Sequence, residues 1–264
     1  MRSFSVKALV AAVATAALAA CGSDSPTATS QQLDLNTAIS QMAAGSASSY
    51  SGASALFGAP LGTSAALVPS SCTYSAAVQG FSCPARTVNG LTITGTFYLY
   101  DASGTSLAAI DPTKAASLRT VTDVQGTTSM DNMFAGTMTV AQHSDVTMSG
   151  LLSAARTLNG TSTGHMDSKM FMGALDTLHS LMDITTVTKD LVLPAPGATD
   201  QYPKSGSITA NMIESGVLGD TTTFKSTMVM TFDGTSVVTI TMTDDLGTSV
   251  CKFDMKGAGM PVCS

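Results

Sequence analysis

The sequence contains few charged side chains and no tryptophan. Only 11% of its 264 residues are charged, and 12 lysines and arginines stand against 18 acids, which gives a formal net charge of −6. Binding to nucleic acid requires clustered Lys and Arg, so this balance argues against a nucleic-acid partner. The composition also argues against a mainly disordered chain, because a hydrophobic content of 44% can supply a core.

The five cysteines lack the C-x₂-C spacing that is typical of zinc sites. Cys21 lies near the N-terminus, and the other four are Cys72, Cys83, Cys251 and Cys263. An even number of cysteines outside the cytoplasm suggests disulfides, although the sequence leaves the connectivity open. We favour Cys72 with Cys83 and Cys251 with Cys263, because each pair closes a short loop and would cross-link a hairpin.

The N-terminus has no hydrophobic run long enough to span a bilayer. Arg2 and Lys7 precede a short apolar run over residues 8–17, which small residues continue to Leu18-Ala19-Ala20-Cys21. This segment resembles the lipobox of bacterial type II signal peptides.

The resemblance implies that diacylglycerol is attached to the thiol of Cys21 and that residues 1–20 are removed as a signal peptide. Residues 21–29 would then form a lipidated tether, and the acyl chains, such as palmitate, would hold the protein at a membrane of the cell envelope. Gly22 follows the cysteine where an Asp would favour inner-membrane retention. We therefore expect the outer membrane or the cell surface as the location.

A helix is predicted over residues 30–44. Thr29 and Gln32 form a capping-box pattern, and Gly45 supplies the stop. Three large apolar residues share one face of this helix: Leu35, Ile39 and Met42. The remainder of the segment 30–66 is rich in Ser, Ala and Gly and is expected to be mostly loop.

From residue 67 to residue 264 the hydrophobic pattern has a period of two. In the stretch 91–99, apolar residues alternate with threonines, and the stretches 224–232 and 238–243 repeat the pattern. We predict a mainly β domain, an antiparallel meander curled into a barrel or half-barrel. The helix at 30–44 would cover its apolar face.

Degenerate hairpin repeats are predicted from recurring turn sequences. The segments 80–90 and 150–160 both end in Arg-Thr-apolar-Asn-Gly, and Asp233-Gly234 resembles the same turn. Asn-Gly and Asp-Gly are favoured in type I′ hairpin turns, so convergence on a common hairpin sequence is the alternative explanation. Either reading predicts turns at Asn89-Gly90, Asn159-Gly160 and Asp233-Gly234.

The stretch 165–182 is ambiguous. Its methionines and leucines follow helical spacing, whereas the repeat alignment places residues 165–172 in a strand. We favour strand there and leave 175–182 open.

Two His-x-Asp pairs are candidate metal ligands. His143 with Asp145, and His165 with Asp167, would each place an imidazole and a carboxylate on one face of a strand. If the two strands were neighbours, four ligands could converge. The alternative is a solvated surface, and no cofactor is predicted.

No pattern in the sequence identifies a catalytic site. Residues 160–164 match G-x-S-x-G, but the surrounding sequence lacks the βα alternation of α/β-hydrolases. We expect a lipid-anchored structural or partner-binding module of the cell envelope. A carrier or sensor of apolar ligands is the first alternative, and an envelope hydrolase is the second.

Overall fold

The computed structural model describes residues 68, 71–131, 135–171, 177–194, 202–216, 223–256 and 262–263. Twelve strands occur in these residues. They are β1 (Thr73–Ser75), β2 (Gly80–Val88), β3 (Leu91–Tyr100), β4 (Ser117–Asp131), β5 (Ala135–Ser149), β6 (Arg156–Phe171), β7 (Thr177–Leu193), β8 (Ser205–Ser215), β9 (Thr223–Phe232), β10 (Val237–Asp244), β11 (Gly247–Asp254) and β12 (Val262–Cys263).

The strands form one antiparallel sheet in which spatial order follows chain order from β1 to β12. The predicted antiparallel meander is therefore confirmed. A closed barrel is not formed, because β1 and β12 are the two edges of the sheet and do not pair with each other in the described part of the chain. The predicted helix at 30–44 lies outside the described residues.

The two faces of the sheet differ in composition because side chains alternate along each strand. In β3 the large apolar residues are buried, and the threonines and tyrosines between them are at least partly exposed. Residues directly opposite one another in an antiparallel pair share a face. The side that contains Leu99 is called the apolar face below, and the side that contains Thr94 is called the polar face.

A row of buried side chains crosses the apolar face from β3 to β7, each directly opposite the next. Its members are Leu99, Leu118, Met148, Leu158 and Leu191. A second buried group lies on the same face over β8 to β11, and consists of Ile208, Ala210, Met228, Met230, Val238, Ile240 and Cys251. Met148, Leu158 and Leu191 pack in one cluster with this group, whereas Leu99 and Leu118 belong to a second buried cluster with Phe81, Ile93 and Phe97 of β2 and β3. The apolar face therefore carries two buried clusters.

Two of the predicted turns are present. Asn89 and Gly90 connect β2 and β3 with φ values of 52° and 83°, and positive values at both positions are what a type I′ turn requires. Asp233 and Gly234 lie between β9 and β10, where the carboxylate of Asp233 accepts hydrogen bonds from the backbone N–H and the hydroxyl of Thr235 at 3.0 and 2.7 Å.

The predicted turn at Asn159-Gly160 is wrong, because both residues lie inside β6. An added Cβ at Gly160 would lie 2.5 Å from the backbone oxygen of Asp145, so glycine permits close approach of β5. The side-chain oxygen of Asn159 accepts a hydrogen bond at 2.7 Å from the N–H of Asp190, which has a positive φ at a bulge in β7.

The two Arg-Thr-apolar-Asn-Gly segments are therefore not structurally equivalent copies. The first ends β2 and forms a hairpin turn, whereas the second begins β6 and supports a bulge in its neighbour.

The ambiguous stretch 165–182 is strand wherever the structure describes it. Residues up to Phe171 belong to β6, and residues from Thr177 belong to β7. Residues 172–176 lie outside the described part.

Two disulfides tie the ends of the sheet, with the pairing that the sequence analysis favours. Cys72 is bonded to Cys83 of β2, and Cys251 of β11 is bonded to Cys263 of β12. Cys251 and Cys263 are also direct cross-strand partners. The described residues contain no helix of the length and hydrophobicity that a membrane-spanning segment requires.

Candidate functional site

Four acid–base pairs lie on the polar face of the central strands β4 to β7. They join His143 with Asp123, His165 with Asp183, His179 with Asp167, and Arg119 with Asp145. Each pair links two adjacent strands. The period-two pattern explains this placement, since the same strands turn their other side chains toward the apolar face.

Two of the pairs join residues directly opposite one another. His143 Nδ1 lies 2.7 Å from an oxygen of Asp123 across β4 and β5, and His165 Nδ1 lies 2.7 Å from an oxygen of Asp183 across β6 and β7. All four side chains are about half exposed. The carboxylates therefore fix the orientation of imidazoles that solvent can reach.

The other two pairs are diagonal. Arg119 donates to both oxygens of Asp145 at 2.8 and 2.6 Å, and this bidentate contact lowers the pKa of the Asp145 carboxyl. The Arg119 guanidinium also lies 5.3 Å from the centre of the Tyr98 ring. In the second diagonal pair, His179 Nε2 lies 2.9 Å from an oxygen of Asp167.

The four candidate metal ligands share one face of neighbouring strands, but they do not converge. Asp145 lies opposite Thr161 and Asp167 lies opposite Thr139, so the two carboxylates sit toward opposite ends of the β5–β6 pair. Each carboxylate also has its own basic partner. Among the described residues, no three His, Cys, Asp or Glu side chains come together in a metal-binding group.

The four pairs are related by an approximate two-fold axis perpendicular to the sheet. Gln142 lies opposite Gly164 at the centre of β5 and β6. His143 and His165 each follow that position by one residue, and Asp145 and Asp167 each follow it by three. The central strands therefore present a symmetric pattern, with the two histidines nearest the axis.

On the apolar face, the same strands carry a row of hydroxyl groups where the flanking strands carry core residues. Its members are directly opposite one another and are Thr122, Ser144, Ser162 and Thr186. The Thr122 hydroxyl is buried and has no hydrogen-bond partner among the residues that the structure describes. Ser162, the serine of the G-x-S-x-G match, lies inside β6 and donates to the backbone oxygen of His143 at 3.2 Å, which is not the sharp turn of a nucleophile elbow.

Glu214 is a buried acid on the apolar face. It lies between Met182 and Phe224 on the adjacent strands and accepts one hydrogen bond, from Ser180, at 3.0 Å. Burial raises the pKa of its carboxyl, and the serine only partly opposes that shift.

The candidates His143, His165, Asp145 and Asp167 are recognisable from the sequence, whereas Asp123 and Asp183, the histidine partners, are not. The missing information was the register between strands, since Asp123 and Asp183 are far from their partners along the chain. Cys21, the predicted lipidation site, lies outside the described residues.

Comparison of the chain with protein-family models, with curated proteins and with solved structures finds no match in any of the three.

Proposed function

We propose that this protein is a lipid-anchored structural or partner-binding module of the cell envelope, held at the outer membrane or the cell surface. The observation that carries the proposal is the segment Leu18-Ala19-Ala20-Cys21 behind a short apolar run. The two disulfides are compatible with an oxidising compartment.

The anchor is tested by Cys21→Ser, which removes the thiol that accepts diacylglycerol. We expect the parent protein to enter the detergent phase on phase partitioning and to incorporate labelled palmitate, and the variant to do neither. Cys72→Ser with Cys83→Ser is the matched control, because it removes a disulfide and leaves the lipobox intact. Membrane retention of Cys21→Ser equal to the parent would contradict the single-anchor proposal.

In this proposal the helix predicted at residues 30–44 covers the centre of the apolar face, where hydroxyl groups replace core residues. The half-buried side chains of Val124, Val140 and Ile184 on this face would then contact the helix. A filled face leaves no cavity for a ligand, as expected of a structural module.

A carrier of apolar ligands is the second candidate. The observation that favours it is the same group of half-buried apolar residues on β4, β5 and β7, which a fatty acid could cover instead of the helix.

Ile39→Ser distinguishes the two candidates. If the helix covers the face, the substitution removes a buried apolar contact and lowers the free energy of unfolding by about 2–4 kcal/mol. If the variant is as stable as the parent and the protein binds a fluorescent fatty acid saturably, the carrier replaces the structural module as the preferred function.

A further inference from the structure

We propose that His143 and His165 bind a divalent transition-metal ion between them on the polar face, with Asp123 and Asp183 as the carboxylates that orient the two imidazoles. This inference does not depend on the proposed anchor or on what covers the apolar face. It uses only residues of β4 to β7.

The carboxylate contacts determine the tautomer of each histidine. An ionised carboxylate only accepts hydrogen bonds, so the Nδ1 atoms at 2.7 Å from Asp123 and Asp183 carry the proton when the imidazoles are neutral. The lone pair of each neutral ring is then on Nε2. Histidines that ligate metals characteristically donate their other ring N–H to a carboxylate or carbonyl in this way.

The carboxylate contacts also orient the two imidazole rings. Asp123 lies on β4, on the side of His143 away from β6, and Asp183 lies on β7, on the side of His165 away from β5. The two ring nitrogens of an imidazole point away from each other at a wide angle. The Nε2 atom of each ring therefore lies on the side away from its carboxylate, and in the proposed site both Nε2 atoms face the gap between β5 and β6.

The register of β5 and β6 leaves space for an ion between the two histidines. His143 lies opposite Thr163 and His165 lies opposite Ala141, which makes the two histidines diagonal neighbours across the β5–β6 pair. Diagonal positions are about 7–8 Å apart and are within reach of long side chains. The residues opposite the histidines are small, and each histidine side chain is about half exposed, so an ion can enter from solvent.

The donor set selects the class of ion. Imidazole nitrogen suits Zn²⁺, Ni²⁺ and Cu²⁺, whereas Ca²⁺ and Mg²⁺ prefer oxygen ligands. Among the described residues, no third ligating side chain converges with the two histidines. The remaining coordination positions of the ion would therefore be filled by water or by a ligand from a partner. The order of affinity expected from such a site is Cu²⁺ above Ni²⁺ and Zn²⁺.

His179 is a matched control within the same face. Its Nε2 contacts Asp167, and it lies directly opposite Lys169, whose ammonium repels a cation. It is diagonal to neither of the other histidines, so its removal should not affect a site built from His143 and His165.

The experiment is titration of the full chain with Zn²⁺ by calorimetry, in a Cys21→Ser background so that this thiol supplies no ligand. We expect one ion per chain, and binding weakened roughly 100-fold by His143→Ala or His165→Ala, because either change removes the second attachment point. Asp123→Asn or Asp183→Asn should weaken binding about 10-fold through loss of orientation. His179→Ala should bind as the parent does.

Electron paramagnetic resonance of the Cu²⁺ form gives an independent readout. We expect two equatorial imidazole nitrogens in the parent and one in each single variant of His143 or His165. Thermal unfolding without metal should be the same for all these variants, since the substitutions lie on an exposed face. The proposal is overturned if the parent binds no Zn²⁺ at millimolar concentration, or if a variant with both His143→Ala and His165→Ala binds as tightly as the parent. It is also overturned if His179→Ala weakens binding as much as His143→Ala does.

Discussion

The apolar face changes character between the flanking strands β8 to β11 and the central strands β4 to β7. The flanking strands bury Met230 and Ile240 almost completely, whereas the central strands carry serine and threonine at the middle of the same face. The charged pairs are concentrated on the opposite side of the central strands. Apolar burial therefore stabilises the flanks most strongly, and the centre offers the polar groups that recognition requires.

The largest expected effect compares two isoleucines on this one face. Ile240 of β10 is fully buried, and Ile184 of β7 is only half-buried. Ile240→Ala should lower the free energy of unfolding by about 2–5 kcal/mol, because it leaves a cavity in a packed cluster.

Ile184→Ala is the matched variant. It should cost less than about 2 kcal/mol, because part of that side chain is already in contact with water. Urea unfolding of both variants measures the difference. Equal losses would show that another part of the chain covers the centre as completely as the flank, which would favour the helix at residues 30–44 as that cover.

The next effect concerns the disulfides at the two ends of the sheet. Replacing Cys251 and Cys263 together by alanine should destabilise the protein by about 3 kcal/mol in the loop-entropy description, and replacing Cys72 and Cys83 should have a similar effect. The melting temperature of each double variant, compared with that of the oxidised parent, checks this. Cys21→Ser should leave the melting temperature unchanged, and a drop there would contradict the assignment of Cys21 to lipid.

The sequence predicts the fold well where composition and period act locally. Alternation in the stretches 91–99, 224–232 and 238–243 predicts β3, β9 and β10, and short loop closure favours the disulfide pairing that the structure contains. These features depend on residues near one another along the chain.

Prediction fails where a feature depends on neighbouring strands. Asn159-Gly160 has the composition of a turn, yet Gly160 is required by the close approach of β5. Asn159 accepts a hydrogen bond from the backbone N–H of Asp190 in β7. The pairing of His143 with Asp123 and of His165 with Asp183 could not be predicted for the same reason. Alternation fixes the face of each residue, but register decides which residues are opposite.

The third prediction concerns Glu214, the buried acid near the end of β8. Because burial raises its pKa, the folded state binds its proton more tightly than the unfolded state does. At pH values below the ordinary carboxyl range, Glu214 is protonated in both states and its ionisation does not affect the free energy of unfolding. The free energy of unfolding then falls as pH rises from the unfolded pKa through the folded pKa.

Glu214→Gln removes this ionisable group and keeps an oxygen that accepts from Ser180. The variant should be more stable than the parent at neutral pH and equally stable near about pH 4, where the unfolded carboxyl is largely protonated. Urea unfolding across this range measures the difference. A parent that is stabilised as pH rises, relative to the variant, would contradict the assigned direction of the shift.

The smallest expected effect concerns the ion pair of Arg119 and Asp145 on the polar face of the central strands. A double-mutant cycle with alanine at both positions should give a coupling of about 0.5–1 kcal/mol, near the upper end for partly exposed pairs, because the contact is bidentate. Lys114 with Asp111 is the control; its ammonium is more exposed and makes a single contact at 3.4 Å, so its coupling should be close to zero.

Since Arg119 lowers the pKa of Asp145, the coupling should be complete above the ordinary carboxyl range and lost as pH falls through the folded pKa. High salt should reduce the coupling as well. Equal coupling in the two pairs would mean that the polar face of the central strands holds its charges no more firmly than an exposed loop does, and the contrast between centre and flank would then rest on the apolar face alone.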